Sequence, residues 1–272
     1  MTAPTIAKTP KLYIRGAFVR SESGRVYRPD GSANVPRGSR KDLREAASAA
    51  RQAQPGWAGL TAYNRGQVLY RVAEMMESRR GPFMAALGGG REAGREVDSC
   101  LDALVFHAGA ADKLSQLGGS VNSVAGPFFN FTTPEPVGVI FLVAGDRRAL
   151  LPLVTHLAAA ICGGNTVVAL VSTARPLAGL LLGEALQTGD VPTGVANLLS
   201  GLPEDILGWA GSHHDIDLLD CCGCDQQQWQ ALAEAAADSV TRVLPPETSP
   251  ALTPRLALSM LEMKTVWHPV GL

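Results

Sequence analysis

Three apolar runs at 137–143, 166–171 and 195–199 constrain this chain more than any other feature. They sit in the stretch TPEPVGVIFLVAGDRRALLPLVTHLAAAICGGNTVVALVSTARPLAGLLLGEALQTGDVPTGVANLLSG. None of the runs alternates with polar residues, which is the pattern of parallel strands buried on both faces. Helix-length segments separate them, the first an Ala/Leu-rich piece at 150–162. Together they predict an α/β fold: a Rossmann-like, doubly wound parallel sheet with right-handed crossovers.

The flanks extend this unit. Residues 11–19 (KLYIRGAFV) read as a strand before the Ser23-Gly24 turn. Ser39 followed by Asp42 is close to a capping box and opens an Ala-rich helix over 39–52. Trp57 and Arg65-Gly66 lead to a second helix that sets Val68, Leu69, Val72, Met75 and Met76 on one face. Gly88-Gly89-Gly90 lacks the Lys-Ser/Thr of a phosphate loop and reads as a helix break. A long helix is expected over 96–117; its His107 has no second ligand at helical spacing and reads as a packed histidine. Ala125-Gly126-Pro127 is a turn between two extended pieces. Further on, 213–219 and 240–244 read as strands flanking a helix over 225–239, and Pro245 to Pro250 excludes a central strand.

Composition narrows the function classes. A formal net charge of −1 over 272 residues favours no polyanionic partner, so no nucleic acid is expected. The longest apolar region is broken by His156, Gly163, Gly164 and Asn165, so no membrane span is expected. Five cysteines, three of them in Cys221-Cys222-Gly223-Cys224, do not resemble a secreted disulfide framework. A reducing cytoplasm is the expected compartment. No second cysteine cluster completes a zinc tetrahedron, so no metal is expected; strand alternation would put Cys222 and Cys224 on one face.

EPVGV, CGGNTVV, ARP and VPTGVANLLSG stand in an order and spacing that resembles the cofactor-binding half of the aldehyde dehydrogenase superfamily. The closing Leu261-to-Pro269 segment resembles a family member's last strand. The resemblance implies an N-terminal hairpin and helices over 1–117 and a β-hairpin oligomerisation flap over 118–133. A Rossmann-like core over 134–246 would follow, then a linker over 247–260 in place of the catalytic domain, and a C-terminal oligomerisation strand over 261–272. It also implies where chemistry should be. No cysteine has the Gly-Gln-x-Cys context of the family nucleophile. Arg147 stands at the place of the oxyanion asparagine, and Leu244 at that of the general-base glutamate, with Glu247 nearby but off the matching position. Asp146 and Arg147 read as a solvated pair or as helix-start residues.

The cofactor positions are altered too. Leu170 and Thr173 replace the Lys and Glu that grip the adenosine ribose. Of the pyrophosphate motif only Gly223 survives, with Cys224 beside it, Gln228 in place of the second glycine, and Asp225 at the anion-binding end of the helix. Each lost charged contact costs roughly 1.5–3 kcal/mol. No tight cofactor is therefore expected, weak NAD binding remaining open. The resemblance is to the catalytically silent half of two-headed family members. It implies a structural or assembly subunit whose partner is a complete aldehyde dehydrogenase or a second copy. Phe128, Phe129, Phe131, Leu261, Met263, Thr265 and Trp267 form the expected interface set, packing on their own Rossmann-like domain being the equal alternative for the three phenylalanines. The alternatives are aldehyde oxidoreductase activity within a complex, or a weak dinucleotide-binding module.

Overall fold

The computed structural model describes residues 9–29, 33–246 and 252–271. Glu247 and the rest of the proline-rich stretch to Pro250 lie outside those residues. β1 (Leu12–Ile14) and β2 (Ala17–Val19) form a hairpin through Arg15 and Gly16, both with φ in the left-handed region. A small ribbon of β3 (Val26–Tyr27) and β4 (Val35–Pro36) follows. α1 (Arg40–Ala58) starts at the Ser39 N-cap, where Asp42 completes a capping box. α1 runs beyond the expected end at 52 and contains Pro55, three residues before its last residue.

α2 (Ala62–Glu77) and α3 (Arg80–Ala86) lead to the glycine triplet, whose three residues all have positive φ and break the helix before α4 (Gly90–Ala110). α4 thus begins earlier than the sequence pattern suggests. It does not continue to 117: a 3₁₀ turn at Ala111–Lys113 separates it from α5 (Leu114–Gly118). β5 (Ser120–Asn122) and β6 (Phe128–Pro136) then leave the body.

The central unit alternates β7 (Val139–Val143), α6 (Leu151–Cys162), β8 (Thr166–Leu170), α7 (Pro176–Thr188), β9 (Ala196–Leu199), α8 (Pro203–Gly211), β10 (Leu218–Asp220), α9 (Gln226–Ala237) and β11 (Arg242–Leu244). The seven-stranded sheet has the order β11-β10-β7-β8-β9-β1-β2. Its first five strands are parallel, and the hairpin adds two antiparallel strands at the β9 edge. Strand order reverses between β7 and β10, which makes their C-terminal ends the topological switch point.

Alternate residues of each strand feed two cores. Ile140, Leu142, Val167, Ala169 and Leu218 pack with α2, α4, α6 and α7. Val139, Phe141, Val168, Leu170 and Leu219 pack with α1, α8 and α9. Finally α10 (Pro254–Ser259) and β12 (Leu261–Pro269) carry the chain out again. β12 runs antiparallel along all nine residues of β6, from Leu261 opposite Pro136 to Pro269 opposite Phe128, giving a three-stranded sheet β12-β6-β5.

Asn165 joins body and arm. Its Oδ1 accepts from Gly138 N at 3.0 Å, and its Nδ2 donates to Ala160 O at 3.1 Å and Met260 O at 3.0 Å, all fully buried. Gly138 itself cannot be another residue cheaply. Its φ is +131°, and a Cβ there would lie 2.1 Å from Asp217 Oδ2, the oxygen that accepts from Val139 N and Arg51 Nη2.

Candidate functional site

In an open α/β sheet, ligands sit beyond the C-terminal strand ends at the switch point. Here the loops after β7 and β10 close on each other. Gly223 N donates to Val143 O at 2.9 Å, and a Cβ on Gly223 would lie 2.0 Å from Gly145 N. The cavity left between them is about 60 Å³, lined by Val143, Gly145, Leu170, Thr173, Pro203 and Gln228. Small-molecule pockets run to several hundred cubic ångströms. A larger groove of about 380 Å³ opens alongside, between α8 and α9, and is lined by Pro203, Glu204, Leu207, Gly208 and Ala231.

The positions that the resemblance singles out fall around this crevice. Leu170 is buried at the end of β8, and Thr173 Oγ1 lies 3.5 Å from Gly201 O. The α9 N-terminus is occupied by its own side chains: the Asp225 carboxylate accepts from Gln228 N at 2.8 Å, and Gln228 Oε1 accepts from Asp225 N at 3.0 Å. This capping box satisfies the N–H groups of Asp225 and Gln228 and puts a carboxylate at the positive dipole end. Arg147 is exposed before α6. Asp146 differs from the sequence expectation. It is neither paired in solvent nor a helix cap, because its Oδ1 accepts from Ser172 Oγ at 2.6 Å and Ala174 N at 3.0 Å, tying down the loop after β8. The α6 N-terminus is met instead by Glu96, whose Oε1 accepts from Leu150 N and Leu151 N. Leu244 is half-buried at the end of β11, and its carbonyl accepts from Cys221 N.

All five cysteines are buried and none is in a disulfide. Burial pushes the Cys162 thiol up to about 12 and the Cys100 thiol well above its ordinary value. A hydrogen bond with Cys224, and then burial, push the Cys221 thiol up as well. The thiolate is the reactive form, so these environments suppress nucleophilicity. Cys222 and Cys224 do not share a face. The strand ends at Asp220, and a turn with Cys224 N donating to Cys221 O at 2.9 Å folds Cys224 back over Cys221. Cys221 and Cys224 pack toward α9, Cys222 toward α6.

A second constellation lies on the α6 side. α6 is buried at every position, and in its apolar sequence stands His156, 2% exposed. His156 Nδ1 is 2.6 Å from Oδ2 of Asp220, the last residue of β10, which is 1% exposed. Asp220 Oδ1 accepts from Cys222 N at 3.2 Å, and Cys222 Sγ donates to Val143 O at 3.3 Å. Ligand atoms of His156, Asp220 and Cys222 all lie within 4.8 Å of one another. α4 packs on α6 and brings His107 close enough to feel the charge of His156. Burial, then His156, lower the His107 pKa to about 4. Neither His107 nitrogen has a hydrogen-bond partner among the described residues. Helical spacing along one segment could not reveal this grouping. The available signal was one histidine within a helix apolar but for Thr155, and one aspartate closing an apolar strand.

The arm has two unlike faces. Residues opposite each other across an antiparallel ladder share a face. One face carries Phe128, Asn130 and Thr132 with Met263, Thr265 and Trp267. Phe128 and Trp267 stack edge to face at 5.8 Å, Thr132 and Thr265 hydroxyls meet at 3.0 Å, and Asn122 donates to Asn130 and Thr132. Leu261 lies on this face but is not available to a partner: it is 4% exposed, with its side chain in the body core over Gly163. The other face carries an apolar row, Val121 opposite Phe131 opposite Val266, with Phe129 5.5 Å from Phe131. Val121 is 73% exposed, Phe129 45% and Val266 40%. Val121 and Val266 were not in the expected set. The outer edge of β12 carries no strand among the described residues, and no helix among them is long and apolar enough to cross a membrane.

Comparison with known proteins follows this geometry. The aldehyde dehydrogenase family model matches residues 22–245. Cytosolic aldehyde dehydrogenase 1 of Elephantulus edwardii is 30% identical over 246 residues, covering 84% of this chain and 48% of that protein. The 2-hydroxymuconic semialdehyde dehydrogenase of Pseudomonas sp. (strain CF600) is 31% identical over 252 residues, covering 87% of this chain and 51% of that protein. An aldehyde dehydrogenase from Bacillus cereus, solved as its NAD⁺ complex, superposes with a TM-score of 0.79 at 23% identity, over 87% of this chain and 50% of that one. The chain spans about half the length of the curated relatives it matches.

Proposed function

This chain belongs to the aldehyde dehydrogenase family, and from that premise we propose that it is a non-catalytic structural or assembly subunit. Its three-stranded arm associates with a catalytically complete aldehyde dehydrogenase, a second copy of the chain being the alternative partner. The observation that carries this reading is the arm: a nine-residue edge along β12 that carries no strand among the described residues, beside the apolar row of Val121, Phe131 and Val266. Unpaired strand edges and exposed apolar rows are liabilities unless something covers them. Strand addition at that edge would satisfy the backbone, and the row would supply side-chain fit. Arg147 and Leu244 at the chemistry-bearing positions, and thiols held protonated by burial, support the lack of turnover. The test is co-elution of the purified chain with a full-length aldehyde dehydrogenase from the same host at micromolar concentration. A defined heteromer, with no NAD-dependent aldehyde oxidation by the lone chain, supports the subunit. Separate elution from that enzyme, with the lone chain monomeric, removes both partners.

The groove of about 380 Å³ between α8 and α9 favours one second reading, a weak dinucleotide-binding module. Calorimetric titration with NAD decides it. A dissociation constant below about 100 μM, near −5.5 kcal/mol, would establish binding.

A further inference from the structure

We propose that His156, Asp220 and Cys222, with His107 beside them, form a buried site for one divalent metal ion of the zinc type. The donor set is one imidazole nitrogen, one carboxylate and one sulfur, from α6, the end of β10 and the loop beyond it, with ligand atoms within 4.8 Å. Mixed N, O and S donors are those that zinc accepts, at about 2.0–2.3 Å from the ion. Tetrahedral geometry then places neighbouring donors about 3.3–3.8 Å apart. The present set closes on an ion if the farther atoms move in by about 1 Å and the His156–Asp220 pair opens by somewhat less.

The second, independent observation is His107. It is 0% exposed, and neither of its ring nitrogens has a hydrogen-bond partner among the described residues. A neutral imidazole offers one N–H and one lone pair, and buried polar groups are seldom left without partners. An ion, or a water bound to it, between α4 and α6 gives that lone pair a partner. The surroundings also argue against a casual polar cluster: the core on this side of the sheet is apolar and includes Leu104, Leu153, Val154, Leu157 and Leu218. A histidine–carboxylate pair buried there is costly unless further interactions offset its desolvation.

Binding balances as follows. The Cys222 thiol proton, now given to Val143 O, leaves as the dication enters, and the hydrogen on His156 Nδ1 moves to Nε2, so that a neutral imidazole, a carboxylate and a thiolate hold the ion. Because the cluster is enclosed, the ion would be taken up as the chain folds.

The test uses the full chain, expressed and refolded with Zn²⁺ and then dialysed. About one zinc per chain by elemental mass spectrometry is expected. Co²⁺ in its place should give tetrahedral d–d bands and a thiolate-to-cobalt charge-transfer band. Cys222→Ser should abolish the charge-transfer band, and His107→Gln should weaken binding at least tenfold. Cys221→Ser, on the opposite face of the sheet, should leave both spectrum and stoichiometry unchanged. Less than a tenth of an equivalent of zinc in the refolded wild-type chain would overturn the site, and this readout needs no variant to fold. So would a cobalt spectrum that survives Cys222→Ser but not Cys221→Ser.

Discussion

Replacing Asn165 by alanine should loosen the arm from the body. Three buried hydrogen bonds disappear: the one accepted from Gly138 N and those given to Ala160 O and Met260 O. A net hydrogen bond contributes about 1 kcal/mol, and a buried group left unsatisfied costs about 1–3 kcal/mol. Ala160 O keeps a second donor in Asn165 N, so it is not orphaned. Gly138 N–H loses its acceptor at a buried site, and Met260 O loses its donor. With each orphaned group taken near the low end of that range, the sum is about 3–4 kcal/mol, a large share of the 5–15 kcal/mol typical of a folded domain. With a urea m-value of about 2–3 kcal/mol/M, the midpoint should fall by about 1–2 M. Because Met260 immediately precedes β12, amide exchange in Met263 to Val266 should accelerate more than exchange in β7 or β8. Asn165→Asp keeps the acceptor for Gly138 N but turns a carboxylate toward two carbonyls, and it should be no better. A midpoint shift under about 0.3 M, or exchange that rises equally everywhere, would refute the claim that Asn165 is the joint.

The remaining predictions are briefer. Gly223→Ala puts a methyl group 2.0 Å from Gly145 N at a residue without left-handed φ, so its cost is steric; thermal melting should show a loss of about 2–4 kcal/mol. Val266→Lys, in the apolar row, should weaken association about 10–100-fold in a sedimentation or titration assay, whereas Thr265→Ser on the opposite face should change it less than about threefold. The Arg37 guanidinium grips Asp205 through two hydrogen bonds and holds its carboxyl below the ordinary value of 3.8. That contribution is complete above pH 3.8 and is lost as pH falls through the lower folded value. The stability gap between wild type and Asp205→Asn should therefore be present at pH 6 and shrink toward pH 3 in urea titrations.

Local rules made much of the body legible. Three apolar runs marked β7, β8 and β9, and turn glycines marked the break before α4, because burial on both faces and positive φ leave their trace within a few residues. Ser39 with Asp42, and Asp225 beside Gln228, are likewise local, since a helix end is satisfied by side chains three positions away. Other features were misread for a physical reason. Extending strand alternation past Asp220 put Cys222 and Cys224 together, whereas the turn that closes there reverses them. Leu261 looked like a partner-facing residue of an exposed strand, yet the first residue of β12 still lies over the body.

The sequence alone determined the doubly wound sheet, because strands buried on both faces announce themselves by residue type over a few positions. Only the tertiary structure decided that the crevice is shut by backbone contact between Gly145 and Gly223. It alone set which residues share each arm face, and it alone brought His156, Asp220 and Cys222 from a helix, a strand end and a loop into one buried group, with His107 on the helix packed against it. These facts depend on crossovers that return the chain to the same place after tens of residues, and no periodicity along the chain encodes that distance.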